Sequence, residues 1–381
     1  MNTHPESASR KKLLILSVSA GAGHLRAAEA LRETAATEFP GVEAEHVDLL
    51  SLTSEAFRRF YAETYDYLVE HQPSLWKYLY ESTDRPKRPS KLDDLARAFE
   101  RANVSKLGNT LETLKPDVVI CTHFLPAQFL SHLIGKGRFG WPVWVTVTDF
   151  DVHALWILER ITGYFAASDE VAWRMQDRGI ERDRIHVIGI PVMPVFGRSW
   201  DRGECARELG LDARRKTVLL MAGAKGTERA RRLAERLLRI EEPFQLVAIA
   251  GRNEKLLESL KDLAEKHPGR LFPLGFTRTI ERVMAASDLA VTKPGGLISS
   301  ECLAMGLPMV LISTIPGQEE RNATYLLESG AALEAYDEAG LEYRVAKLLS
   351  DPERLSEMQS LAKALGRPHA AREAIRTVLT R

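Results

Sequence analysis

Runs of apolar residues along the chain are short and are separated by longer amphipathic stretches, and this alternation occurs twice. Residues 12–19 are nearly all apolar, as a strand covered on both faces is, and they lead through Ala20-Gly21-Ala22-Gly23-His24 into a helix ending near Thr37. Further strands are expected at 42–49, 117–122, 143–148, 163–167 and 185–190, with helical stretches between them. Strands alternating with helices predict a doubly wound parallel sheet, so the fold class is α/β. The pattern breaks at residues 190–197, where Pro191, Pro194 and Gly197 exclude a continuous helix, and a domain hinge is expected there. It then restarts with strands at 217–222, 245–250, 270–275, 289–292 and 308–313. Two domains are therefore expected, over residues 1–195 and 196–381, with the last helices able to cross back to the first. They should face each other across a cleft at the carboxyl ends of their strands, where open α/β sheets bind ligands.

The stretch from Ala290 to Ala323 carries the clearest chemistry. Gly295 and Gly296 stand at a strand-to-helix junction, where the backbone can approach a ligand and the helix start offers unpaired N–H groups to a phosphate. Glu301 lies on the first turns of that helix, better placed to hold sugar hydroxyls than phosphate oxygens. Gln318, Glu319 and Asn322, after Pro316-Gly317, bring amide and carboxylate groups to the next helix start, and such groups read hydroxyl patterns. Ala222-Gly223-Ala224-Lys225-Gly226 is a second glycine loop, with Lys225 able to contact a diphosphate. Phe276 and Thr277 follow the next strand but one, where Phe276 can flank a base. Together these groups point to a sugar nucleotide.

In the first domain, Gly21 and Gly23 lack the G-x-G-x-x-G spacing, because position 26 is Arg, and no Walker lysine follows. The loop is read instead as bringing an acceptor close. His24 at a helix start has its charged form disfavoured by the dipole and so is available as a general base. Asp149 and His153 follow a buried strand and can orient or deprotonate a hydroxyl, with Trp156 covering an apolar tail or a sugar face. Asp149 also suits a helix cap, and His123 is a further candidate.

The chain has 381 residues, 45% hydrophobic and 27% charged, with Lys plus Arg and Asp plus Glu both at 52, so no basic field argues for nucleic acid. Cys121, Cys205 and Cys302 are scattered, which fits a reduced, cytoplasmic compartment. No apolar segment approaches the roughly 20 residues of a membrane span. One region breaks the α/β plan. Between Phe57 and Tyr80 lie eight aromatic residues, among them Tyr65 and Trp76, followed by Arg85, Lys87, Arg88 and Lys91. Rings beside a cationic cluster suit the surface of an anionic bilayer, so a peripheral position on the inner face of the cell membrane is expected.

Several of these motifs resemble the monogalactosyldiacylglycerol synthase and processive diacylglycerol glucosyltransferase family, relatives of the peptidoglycan N-acetylglucosaminyltransferase. The resemblance rests on His24 with Arg26-Ala27-Ala28, on the segment from Thr148 through His153 to Trp156, and on Lys293-Pro294-Gly295-Gly296 through Glu320 and Asn322. It implies the GT-B fold of two Rossmann-like domains, and inverting transfer of a hexose from a UDP-sugar to diacylglycerol or a glycolipid. No metal or cofactor is implied beyond the UDP-hexose donor. By the same resemblance Glu301 holds the ribose, Gly295, Gly296 and Ser300 the diphosphate, Phe276 and Thr277 the uracil, Gln318 and Glu319 the hexose, and His24 with Gly23 the acceptor end. The chain departs from it at Ala154, where many members have Pro, and at Lys225, where small or polar residues are common. Rival activities on this fold are a UDP-sugar epimerase or hydrolase, an undecaprenyl-linked N-acetylglucosaminyltransferase, and a non-catalytic UDP-sugar sensor.

Overall fold

The structure is a computed structural model that describes residues 10–19, 21–55, 58–59, 64, 67–68, 71–84, 108–222, 227–312 and 314–380. The chain divides into two compact units. One comprises Met1–Pro194, Pro316–Gln318 and Pro368–Arg381, the other Val195–Ile315 and Glu319–Arg367.

Six parallel strands form the sheet of the first unit: β1 (Lys11–Ser17), β2 (Val42–Asp48), β3 (Val118–Cys121), β4 (Val143–Thr146), β5 (Gly163–Ala166) and β6 (Ile185–Val187). Their order is β2-β1-β3-β4-β5-β6, with Leu13 opposite both Ala44 and Val118. Strands β3, β4 and β5 are buried along their whole length and β1 from Leu13 onward, which is why they read as apolar runs, whereas β2 at the edge mixes buried and exposed positions. Each aliphatic side chain fully buried here, such as Ile15 or Ile120, contributes roughly 1.5–3 kcal/mol. A Cβ on Gly163 would lie 2.3 Å from the Trp144 ring, so only glycine lets that indole lie flat across β5. The terminal helix, Ala370–Thr380, adds Ala371, Ala374, Ile375 and Val378 to this core.

The second unit repeats the plan with β7 (Lys216–Met221), β8 (Phe244–Gly251), β9 (Leu271–Gly275), β10 (Leu289–Thr292), β11 (Met309–Leu311) and β12 (Ala332–Glu334). The order is β12-β11-β10-β7-β8-β9, again all parallel. Strand β12 is additional to the sequence expectation, since three residues, Ala-Leu-Glu, carry no readable period. Asp288 joins the starts of β7 and β10: its Oδ2 accepts from Thr217 N and from Arg202 Nη2, each at 2.8 Å.

Both sheets have a point where the strand order reverses, between β1 and β3 in the first unit and between β7 and β10 in the second. At such a switch the loops leaving two neighbouring strands part to opposite faces, opening a crevice at their carboxyl ends. The chain is thus GT-B in plan, two Rossmann-like doubly wound units.

Candidate active site

The loop after β1 contains Gly21, whose φ of 90° is left-handed, and the helix Ala22–Glu38 starts beyond it with no side-chain cap. The third residue of that helix is His24. The loop after β3 begins with Thr122 and His123. Because β1 and β3 are neighbours, these two segments meet. His24 Nδ1 lies 2.8 Å from the Thr122 carbonyl oxygen and 2.9 Å from Thr148 Oγ1, while the Thr122 hydroxyl donates back to the His24 carbonyl at 3.0 Å. The rings of His24 and His123 meet edge to face, 4.6 Å apart, and Trp156 lies against both, at 6.3 and 6.2 Å.

The two imidazoles differ in freedom. His123 is buried, and its Nδ1 accepts from Leu125 N at 3.0 Å, capping the helix Phe124–Gly135. Burial, and then the neighbouring His24, push its pKa well below the usual histidine value, so it stays neutral. His24 is half-buried. Burial lowers its pKa as well, opposed by the charge of Asp149 and by the Thr122 hydrogen bond.

His153 is committed to structure at both ring nitrogens. Nδ1 accepts from Leu155 N at 3.2 Å, capping the turn Ala154–Trp156, and Nε2 lies 2.8 Å from the Tyr80 carbonyl oxygen, so Nε2 carries the hydrogen. The ring rests on that of Tyr80, 4.5 Å between centroids. Asp84 completes the clamp, accepting from Ala154 N and Arg178 Nη1, each at 2.8 Å. Burial of Asp84 works against its charge, but the bonds from Arg178 and Ala154 hold its pKa below the usual carboxylate value. The helix Pro73–Thr83 is thereby tied to the segment after β4, a link for which no sequence motif exists. Trp156 is buried as a wall of this site, and the exposed apolar residues of the helix Pro73–Thr83 are Leu75 and Tyr78 rather than Trp76. The expected membrane contacts Tyr65, Arg85, Lys87, Arg88 and Lys91 lie outside the described residues, as does Lys225.

Asp149 and Asp151 follow β4 and are buried. Gln318 Nε2 donates to Asp149 Oδ2 at 2.7 Å, within the piece of chain grouped with the first unit, and Arg174 Nε lies 3.5 Å from Asp151 Oδ1. Although these aspartates have the Asp-x-Asp spacing, no group of three metal-ligating side chains occurs among the described residues.

At the switch of the second unit, β10 leads through Lys293-Pro294-Gly295 into the helix Gly296–Ala304, which also starts with no side-chain cap. Its first N–H groups and the positive end of its dipole therefore face the crevice. Gly295 has an ordinary φ of −71°, and a Cβ there would make only normal contact with Ile298, at 3.5 Å. Glu301 is buried on the same helix, and the Ser300 hydroxyl donates to the Gly296 carbonyl at 2.8 Å, which leaves its oxygen free only to accept. Phe276 is 57% exposed beyond β9, with the Arg252 guanidinium 4.8 Å from its ring centre, a partner that sequence reading missed. The Thr277 hydroxyl accepts from Thr279 N at 3.1 Å. Glu319 Oε2 accepts from Ile315 N at 2.7 Å, and Asn322 is fully buried.

Comparison with known proteins bears on both units. Residues 24–192 match the family model for monogalactosyldiacylglycerol (MGDG) synthase, and residues 208–365 that for glycosyl transferases group 1. Among similar proteins is the processive diacylglycerol beta-glucosyltransferase of Bacillus pumilus, 29% identical over 97% of this chain and 95% of the relative. That of Bacillus subtilis is 28% identical over 94% and 92%. The solved structures with this fold include MurG of Acinetobacter baumannii, with a TM-score of 0.64 at 14% identity, covering 97% of this chain and 100% of that one. They also include the UDP-GlcNAc 2-epimerase of Neisseria meningitidis bound to UDP-GlcNAc, with a TM-score of 0.62 at 14% identity and the same coverage.

Proposed function

We infer that this chain, a glycosyltransferase whose first unit is of the monogalactosyldiacylglycerol synthase family, moves a hexose from a UDP-sugar to the hydroxyl of diacylglycerol or a glycosyldiacylglycerol, inverting the anomeric carbon. The carrying observation is the pairing of two unlike switch points: a half-buried imidazole held through Nδ1 in one unit, and an uncapped, glycine-flanked helix start with a buried carboxylate in the other.

The chemistry assigned to these groups is a single displacement. The acceptor oxygen bonds to the sugar's C1 as the bond from C1 to the UDP oxygen breaks, and the hydroxyl proton passes to His24 Nε2. The departing diphosphate gains charge, and the N–H groups at Gly295 and Gly296, with Lys293 and Lys225, stabilise it. Glu301 takes the ribose hydroxyls, Phe276 and Thr277 the uracil, and Gln318 and Glu319 the hexose, with Asn322 bracing the helix that carries them. His153 positions the segment bearing Asp149.

A lipid acceptor brings the enzyme to a surface. Leu75 and Tyr78 on the helix Pro73–Thr83 would meet the bilayer, the cationic cluster from Arg85 to Lys91 its anionic lipids, and the cytoplasmic face is where UDP-sugars are available. Among the described residues no helix is long and apolar enough to cross a membrane. The test is to mix the protein with diacylglycerol vesicles and labelled UDP-glucose or UDP-galactose. Label entering the lipid is the expected result, while epimer or free sugar alone would replace this reading with that of the epimerases sharing the fold.

A further inference from the structure

We propose that Thr148 is a positioning residue that acts, together with the Thr122 backbone carbonyl, to hold His24 with its hydrogen on Nδ1 and its lone pair on Nε2. The inference rests on reading His24 as the base, and it adds what makes that base competent. A carbonyl oxygen can only accept, so a ring nitrogen 2.8 Å from the Thr122 oxygen must be the protonated one. Thr148 Oγ1, 2.9 Å from the same nitrogen, then serves as a second acceptor for one shared hydrogen.

Two acceptors on one N–H do more than fix a tautomer. When Nε2 takes a proton the ring becomes cationic, and hydrogen bonds from a charged donor strengthen. Thr122 and Thr148 stand 98 and 124 residues from His24 in sequence, at the ends of the neighbouring strands β3 and β4, so the ring after β1 is gripped by two segments from the other side of the switch. The hydroxyl of Thr122 locks the same turn by donating to the His24 carbonyl at 3.0 Å. The other groups facing the ring are Asp149 after β4, whose charge favours the cation, and His123 after β3, whose burial keeps it neutral. The positive end of the helix Ala22–Glu38 disfavours the cation, and Trp156 carries no charge. Thr148 is itself buried, so its hydroxyl is not spent on solvent.

The experiment reads the imidazole directly, by 15N resonances of the His24 ring in labelled protein without substrate, assigned by their loss in His24→Gln. The neutral ring of the wild type should show hydrogen on Nδ1. Thr148→Val should keep that tautomer but titrate roughly half a pH unit lower, having lost one acceptor for the charged form. In the transfer assay it should lower kcat about tenfold and move the acid limb of the pH profile the same way, with KM for the UDP-sugar unchanged. Thr148→Ser should restore both. Where the valine variant does not fold, Thr148→Ala carries the same expectations. Hydrogen found on Nε2, or a variant without the hydroxyl that titrates and turns over like the wild type, overturns the proposal. Should no sugar transfer occur at all, the ring titration still decides, so the two readings fail separately.

Discussion

The two switch points share a topology and differ in nearly everything else. At β1/β3 the crevice is crowded with side chains: two imidazoles in edge contact, a buried indole, and threonine hydroxyls bonded to His24. At β7/β10 the described residues after β10 present glycines and an uncapped helix start. Parallel strand order selects where a ligand can sit in both cases. What it can do there follows from the residues: a nitrogen with a tuned proton affinity in one unit, and a fixed positive potential for an anion in the other.

That contrast can be broken by substitutions that should act on one half only. The largest effect is expected for His24→Gln, which should lower transfer by about 10²- to 10⁴-fold, the range of a lost general base, while titration with UDP finds its affinity within about twofold of the wild type. A matching loss of UDP binding would show that the imidazole serves the donor instead.

Glu301→Gln should do the reverse. UDP affinity should fall by about 10- to 100-fold, as when a charged hydrogen-bond acceptor is lost, and the 15N titration of His24 should not move. Gly295→Ala sharpens the same point: the free protein has room for the methyl group, so lowered UDP affinity with an unchanged melting temperature would locate the ligand against that backbone.

A smaller effect concerns how the first site is held. Arg178→Ala leaves Asp84 without its cation in a partly buried place, and a cost of about 2 kcal/mol is expected, between that of exposed and buried pairs. Because the folded-state pKa of Asp84 is depressed, its contribution is present above the unfolded value of about 3.9 and is lost as pH falls through the folded one. Denaturant titrations across that acid range should therefore show a shallower loss of stability in the variant. Equal slopes would remove Asp84 from the clamp.

Smallest is the surface effect. Leu75→Ser with Tyr78→Ser should weaken binding to anionic vesicles by about 1 kcal/mol, the two side chains being only partly inserted at the interface, and leave transfer to a short-chain, water-dispersed acceptor unchanged. Vesicle sedimentation that matches the wild type would move the membrane face elsewhere.

The α/β plan was readable because parallel strands buried on both faces leave unbroken apolar runs. Eleven of the twelve strands were legible, β10 with its expected limits, and β12 was not, being too short to show a period. The glycine turn before Gly296 and the helix start at His24 were equally local signals. The clamp of Tyr80, Asp84 and Arg178 on the turn after His153 was not visible, since an ordinary aspartate and arginine 94 residues apart announce nothing in sequence. The same holds for Arg252 over Phe276, where the cation follows β8 and the ring follows β9.

By itself, then, the amino-acid order determined which segments become strands, where the chain must turn on glycine, and which titratable groups stand at strand ends. All of these depend on neighbours within a few residues. Tertiary structure alone decided that β1 lies beside β3 and β7 beside β10, and hence that His24 is bonded by Thr122 and Thr148, and that His153 serves as a brace. The physical reason is that strand pairing depends on burying apolar faces and saturating backbone hydrogen bonds, and neither leaves a mark of its partner on the residues involved.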